Sequence, residues 1–223
     1  MLSILFAVAA DPGACTTLLV GRGATADGSV LVTHSMDEAN NDFRLVFVPA
    51  KDHLPNSTRP VYVDSENYPR IVSADIAPGY APVGNQTDSV PIGSIPQVAH
   101  TFGFLDLSYG AVNEHQVAIG ESTCSARTVA RPVSAAGGKA LFWVGELSHV
   151  ALERCTSARC AVQLMGALAE AHGFYGADER EGSGETLTVA DPREAWVFHV
   201  LAVCCAVPCH AVPCHAVLRY AML

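Results

Sequence analysis

Two β-forming runs, Thr16 to Val20 and Ser29 to Thr33, stand either side of the turn signal Ala26-Asp27-Gly28. No other feature constrains the front of the chain as much, because Asp-Gly accepts the backbone conformation of a tight reversal. The two runs are therefore predicted to pair as an antiparallel hairpin. Cys15 sits at the mouth of the first strand, directly after the small residue Ala14.

Further along, residues 49 to 98 are rich in Pro, Gly, Asn, Asp and Ser with little periodicity, which predicts long connections with short strands. Connections of that length often build binding surface. Val112 to Glu121 returns to apolar, β-forming sequence. Between Glu146 and His172, the apolar positions Leu147, Ala151, Cys155, Ala158, Val162, Met165 and Ala169 follow the three-and-four spacing of a helix buried on one side, and Gly173 is placed to end it. Thr156 is also a plausible cap, so the region reads as one helix or as two with a break. Glu185 to Val189 and Ala195 to Val200 read as strands joined at Asp191-Pro192. Strands, then helices, then strands imply a layered α+β fold rather than an alternating parallel one.

The chain has 223 residues, 50% of them hydrophobic, enough for a substantial core in one large or two small domains. Thirteen Lys and Arg against 22 Asp and Glu give a formal net charge of −9, without a basic run or interleaved aromatics. Nucleic acid is thereby excluded as an expected partner. The opening MLSILFAVAA resembles the core and cleavage region of a secretory signal, although it lacks a basic start. It is too short to span a bilayer, and no other stretch is apolar for long enough. Asn56 and Asn85 begin N-x-[ST] acceptor triplets in segments with loop composition. Together these features predict a secreted or lysosomal protein, with a cytoplasmic one as the alternative.

Eight cysteines do not fix the redox compartment, since Cys204, Cys205, Cys209 and Cys214 crowd into the last 20 residues. Cys155 and Cys160 read as small core residues. Residues 206 to 217 repeat a five-residue unit, AVPCH. Its Cys209, His210, Cys214 and His215 offer zinc-ligand chemistry, but identical repeats with prolines favour low-complexity sequence without a packing role. Elsewhere the histidines show no ligand spacing, and neither a Gly-rich phosphate loop nor GxSxG occurs, so no metal and no cofactor is expected.

A cysteine opening a strand behind a small residue suits one mechanism. Cutting the Ala14 to Cys15 bond would give one residue both a thiol and a free α-amine, with unperturbed pKa values of about 8.5 and about 7.7 to 8.0. The amine then serves as base, the thiolate attacks a carbonyl, and an acyl-enzyme forms. Before the cut the amine is an amide, so the uncut chain is expected to be a zymogen.

The run CTTLLVGRGATADGSVLVTHSMDE, from Cys15 to Glu38, resembles the start of the dipeptidase family of N-terminal-nucleophile (Ntn) cysteine hydrolases, which includes PepD-type dipeptidases and the secernins. Similar stretches follow in order: RPVYVDSENYPRIVSADIAPGYAP (59 to 82), PIGSIPQVAHTFGF (91 to 104), YGAVNEHQVAIGESTC (109 to 124), ALERCTSARCAVQLMG (151 to 166) and SGETLTVADPREAWVFHVL (183 to 201). The resemblance implies a four-layer αββα sandwich, maturation to Cys15, and hydrolysis of dipeptides or short peptides with an unblocked amino end. It divides the chain into a signal or propeptide (1 to 14), the front part of a peptidase domain (15 to 201) and an aberrant tail (202 to 223). Asp37 matches the family's acidic residue near the nucleophile, able to hold an ammonium by a charge-assisted hydrogen bond. His34 stands where bacterial members carry Arg. The strand from Asn113 to Thr123 matches one that lines the oxyanion hole, which makes Asn113, Glu121 and Ser122 candidate supports. Asp191 matches a further family feature and also reads as a turn former before proline.

Three functions follow: a cysteine dipeptidase, a non-catalytic secernin-like or truncated chain acting through protein contacts, and an Ntn amidase for N-acyl amines. The oligomeric state is open. Because the resembling proteins are about twice as long, the chain reads as truncated, with exposed sheet edges and low stability. That expectation predicts no single cooperative melt accompanied by dipeptide turnover in the purified 223-residue chain; observing both together would count against it.

Overall fold

The computed structural model describes residues 15–37, 40–63, 66–176 and 182–202, together with the backbone of 217–222. In chain order the strands are β1 (Thr16–Val20), β2 (Leu31–Ser35), β3 (Val46–Val48), β4 (Lys51–Asp52), β5 (Thr58–Val61), β6 (Gly93–Pro96), β7 (His100–Thr101), β8 (Phe104–Asp106), β9 (Val112–Asn113) and β10 (Ala118–Thr123). Helices α1 (Val144–Arg154) and α2 (Ala158–His172) follow, then β11 (Gly184–Ala190), β12 (Ala195–Leu201) and β13 (Val217–Met222). The fold is α+β, as expected. Its main sheet runs β13-β12-β11-β10-β9-β8-β3 with antiparallel neighbours throughout.

Side-chain alternation determines what covers this sheet. In β11 and β12, Leu187, Val189, Phe198 and Val200 fall on one face and are fully buried, and α2 packs against these two strands. On the opposite face lie Gly120, Thr186 and Thr188, and the β1–β2 hairpin rests there against β10 and β11. The helices, the main sheet and the hairpin thus form successive layers.

The hairpin is paired from Thr16↔Ser35 to Val20↔Leu31. Its second strand starts two residues later than the Asp-Gly signal implies, because Asp27-Gly28 belongs to a longer loop over residues 21–30. Side chains fasten that loop: Arg22 Nε donates to the Gly28 carbonyl at 3.1 Å and Thr25 Oγ1 to the Ser29 carbonyl at 2.8 Å. The helical region is two helices, but Ser157 rather than Thr156 caps the second, its hydroxyl accepting from the Cys160 amide. Gly173 ends α2 at φ +78°. Cys155 is fully buried, as expected, yet the reading of Cys155 and Cys160 as plain core residues is corrected: a disulfide joins them across the break between the helices. The stretch from 49 to 98 does consist of short strands and connections. Of the tail, residues 217–222 add β13 to the sheet edge beside β12, whereas the AVPCH repeats up to residue 216 lie outside the described residues, as does the leader.

Helix α1 is held by buried charge. Arg59 from β5 pairs with Glu153, Nε to Oε2 at 2.9 Å, and with Glu146. His149 reaches Glu146 at 3.2 Å and Asp106 of β8 at 2.7 Å, and Asp106 also accepts from the Tyr80 hydroxyl. Burial alone would lower the His149 pKa, but Asp106 and Glu146 outweigh it and hold it at about 9. Burial likewise works to raise Glu146, whereas Arg59 and His149 hold it down at about 2.

A histidine whose folded pKa lies above its unfolded value, about 6.5, contributes stability in full below that value and loses it as pH rises through about 9. Urea unfolding from neutral to alkaline pH should therefore show a decline that His149→Leu removes. The same variant should cost about 3–5 kcal/mol at neutral pH, because it removes the cation that bridges the buried carboxylates of Asp106 and Glu146.

Candidate active site

Cys15 lies immediately before β1, and the hairpin register carries it towards Met36. Its thiol donates to Met36 Sδ at 3.2 Å, and the Asp37 backbone N–H is directed at the sulfur. Alternation along β2 and beyond it leaves Val32, His34 and Met36 half-buried while Thr33, Ser35 and Asp37 are exposed, so the inner set includes the imidazole. The His34 ring packs against Tyr109, with centroids 5.6 Å apart, and its Nε2 stands 3.8 Å from Glu121 Oε2.

Glu121 comes from β10, where it is fully buried. Thr123 Oγ1 donates to its Oε1 at 3.2 Å. The register Glu121↔Leu187 and Thr123↔Glu185 puts Glu185 on the diagonal of the same sheet face. Glu66 adds a third carboxyl, accepting from the Tyr109 hydroxyl. Burial raises Glu121 to about 7, against the hydrogen bonds from its neighbours, and burial together with Glu121 raises Glu185 well above the ordinary carboxyl range. Carboxyls this close and this dry cannot all ionise, so the group retains a proton at neutral pH. Burial, then the charge of Glu121, pushes the Cys15 thiol up to about 12, with the Asp37 amide acting the other way. Burial also lowers the His34 pKa, against the charge of Asp37. In this setting the sulfur rests as a thiol, and its activation requires a base or a cation beside it.

The other candidates divide clearly. Ser122 joins the site through the backbone, its Oγ donating to the Cys15 carbonyl at 2.9 Å and fastening the start of β1. Asp37 is adjacent through its amide, while its exposed carboxylate accepts from Ser35 Oγ at 3.4 Å. The oxyanion role for Asn113 is corrected, because its amide is fully committed elsewhere. Nδ2 donates to the carbonyls of Leu152 and Cys155 at 2.9 and 2.8 Å, and Oδ1 accepts from the amides of His115 and Val117, both at 3.0 Å. Asp191 is likewise a structural residue: Oδ1 accepts from the amides of Arg193 and Glu194, and Oδ2 from that of Ala158 at the start of α2. The turn reading of this residue therefore applies. Asn56 and Asn85 are exposed on turns, where a glycan has room. Sequence reasoning missed Tyr109, Glu66 and Glu185; of these only Glu185 left a signal, a carboxylate inside an otherwise uncharged strand.

A family model described as peptidase family C69 matches residues 14–210, and the match opens one residue before Cys15. The chain belongs to peptidase family C69. This is the dipeptidase family of Ntn cysteine hydrolases that the six motif stretches resemble. No curated protein matches the chain. Membership in C69 makes the chain a peptidase by family, with a peptide as substrate. Among the described residues no helix is long and apolar enough to cross a membrane.

The close approach of β2 to β10 depends on Gly120. A Cβ there would lie 2.9 Å from Thr188 Oγ1, 3.0 Å from the Thr33 carbonyl and 3.3 Å from His34 Cβ. Gly120→Val should push the hairpin outward, costing about 1–3 kcal/mol and accelerating alkylation of Cys15. Urea unfolding and peptide-level mass spectrometry after iodoacetamide treatment would measure the two effects.

Proposed function

We propose that this C69 peptidase is a cysteine dipeptidase whose nucleophile is the thiol of Cys15, freed as the first residue when residues 1 to 14 are removed. The observation that carries this reading is the convergence of His34, the Asp37 amide and the buried Glu121 on the sulfur of the residue just before β1. The start of the family match at residue 14 supports it as well.

The freed α-amine takes the thiol proton, and the sulfur attacks the peptide carbonyl carbon to give a tetrahedral adduct. Collapse breaks the C–N bond, the α-ammonium returns its proton to the departing amine, and a thioester remains. Water, losing its proton to the same amine, then hydrolyses the thioester and restores the thiol. The carboxyls of Asp37 and Glu121 suit the ammonium groups involved, both that of Cys15 and that of a substrate with an unblocked amino end. A dense acidic surround makes an N-acylated amine, which has no such charge, the poorer substrate. The Cys155–Cys160 disulfide and the two exposed acceptor triplets favour a secreted or lysosomal glycoprotein.

Terminal sequencing of the active protein should read Cys-Thr-Thr. Cys15→Ala should lower kcat/KM for dipeptides at least about 10³-fold with an unchanged melt, and dipeptides should be turned over in preference to N-acyl amino acids. Full activity in protein that still carries its leader would reject the proposal; preference for N-acyl amino acids would move it to amidase chemistry.

A further inference from the structure

We propose that Cys15, His34 and Glu121 form a binding site for a borderline-soft divalent cation of the zinc class, which withholds the thiol from reaction while it is bound. One ligand atom from each residue, thiol sulfur, imidazole nitrogen and carboxylate oxygen, lies within 4.8 Å of the other two. In a tetrahedral zinc site with Zn–S of about 2.3 Å and Zn–N and Zn–O of about 2.0–2.2 Å, such atoms stand about 3.4–3.6 Å apart. The His34 to Glu121 separation of 3.8 Å is already close to this, so small side-chain rotations complete the approach.

A second observation is independent of that spacing. His34 Nε2 and Glu121 Oε2 are both buried and both lack a hydrogen-bond partner among the described residues. Glu121 is fully inaccessible, and an unpartnered carboxylate oxygen in such a place is costly. A cation between these two atoms would satisfy both. Nearby Glu66 and Glu185 add further carboxyl groups to the surroundings, and Thr123 holds the other oxygen of Glu121 in place.

The donor set selects the metal. Thiolate and imidazole favour zinc over magnesium or calcium, which prefer all-oxygen sites. Binding exchanges a proton for the metal: the S–H bond breaks, the S–Zn bond forms, and the proton leaves to solvent. If Cys15 is the chain terminus, as in the proposed function, its α-amine closes a five-membered N,S chelate and supplies the fourth donor. The three-residue site itself does not rest on that step. Residues 15, 34 and 121 share no motif spacing, which is why the sequence gives no sign of a metal site.

The test is protection of Cys15. With peptide-level mass spectrometry as readout, Zn²⁺ should slow iodoacetamide alkylation of Cys15 in the full chain at least about tenfold, and His34→Gln and Glu121→Gln should each abolish most of that effect. Co²⁺ should give a thiolate charge-transfer band that Zn²⁺ displaces and Cys15→Ser eliminates. The difference from Cys15→Ser isolates this site from the four cysteines near the chain end, and circular dichroism melts confirm that the variants fold. Alkylation indifferent to Zn²⁺, equal protection in both Gln variants, or a band unchanged in Cys15→Ser would overturn the proposal. Zinc protection without dipeptide turnover by metal-free protein would sink the dipeptidase reading alone, and turnover without protection would sink the metal site alone.

Discussion

The contact on which the site depends is the approach of β2 to β10 across Gly120. Two strands with side chains at that crossing would stand further apart, and the sulfur, the imidazole and the Glu121 carboxyl would no longer share one small volume. The register then fixes the rest. Five paired positions tie β1 to β2, so Cys15 has little freedom to slide, and Ser122 holds its carbonyl from the neighbouring strand. Cys15 is positioned by backbone pairing rather than by a flexible loop.

Electrostatics pull against packing here. A half-buried sulfur beside carboxyls is held as a thiol, the opposite of what a nucleophile needs, and the carboxyls hold each other partly protonated. Such a pocket favours a positive group beside the sulfur, which is what the proposed terminal ammonium and the proposed metal ion would each supply. The expense of burying charge is met differently around α1, where Arg59, His149 and Arg70 face Glu146, Glu153 and Asp106. Pairing there gives a rigid support, and incomplete pairing at Cys15 marks a candidate functional site.

Much of this was legible in the residues. Thr16–Val20, the helical character of residues 146 to 172, the Gly173 terminator and the Asp191-Pro192 turn all follow from local propensity and periodicity, which act within a few residues, whereas whether that region was one helix or two stayed open. The displaced start of β2 was not legible, because side-chain hydrogen bonds from Arg22 and Thr25, not turn propensity, set the length of that loop. Nor were the true partners of the sulfur. Glu121 entered as one residue of a matching strand, while Tyr109, Glu66 and Glu185 join it only through sheet register and loop path, and these depend on the whole core. Asn113 illustrates the converse: its residue type suits an oxyanion donor, but local geometry uses all of its hydrogen-bonding capacity on backbone groups.

That saturated amide couples distant parts of the molecule. Asn113 grips the carbonyls of Leu152 and Cys155, at the place where the Cys155–Cys160 bridge ties one helix to the next. The short strand bearing Asn113 pairs in turn with β10, which carries Glu121. A reductant that opened the bridge would thus slacken a support whose other end reaches the strand beneath Cys15, making the candidate site sensitive to the thiol balance of its surroundings through mechanics rather than through its own sulfur.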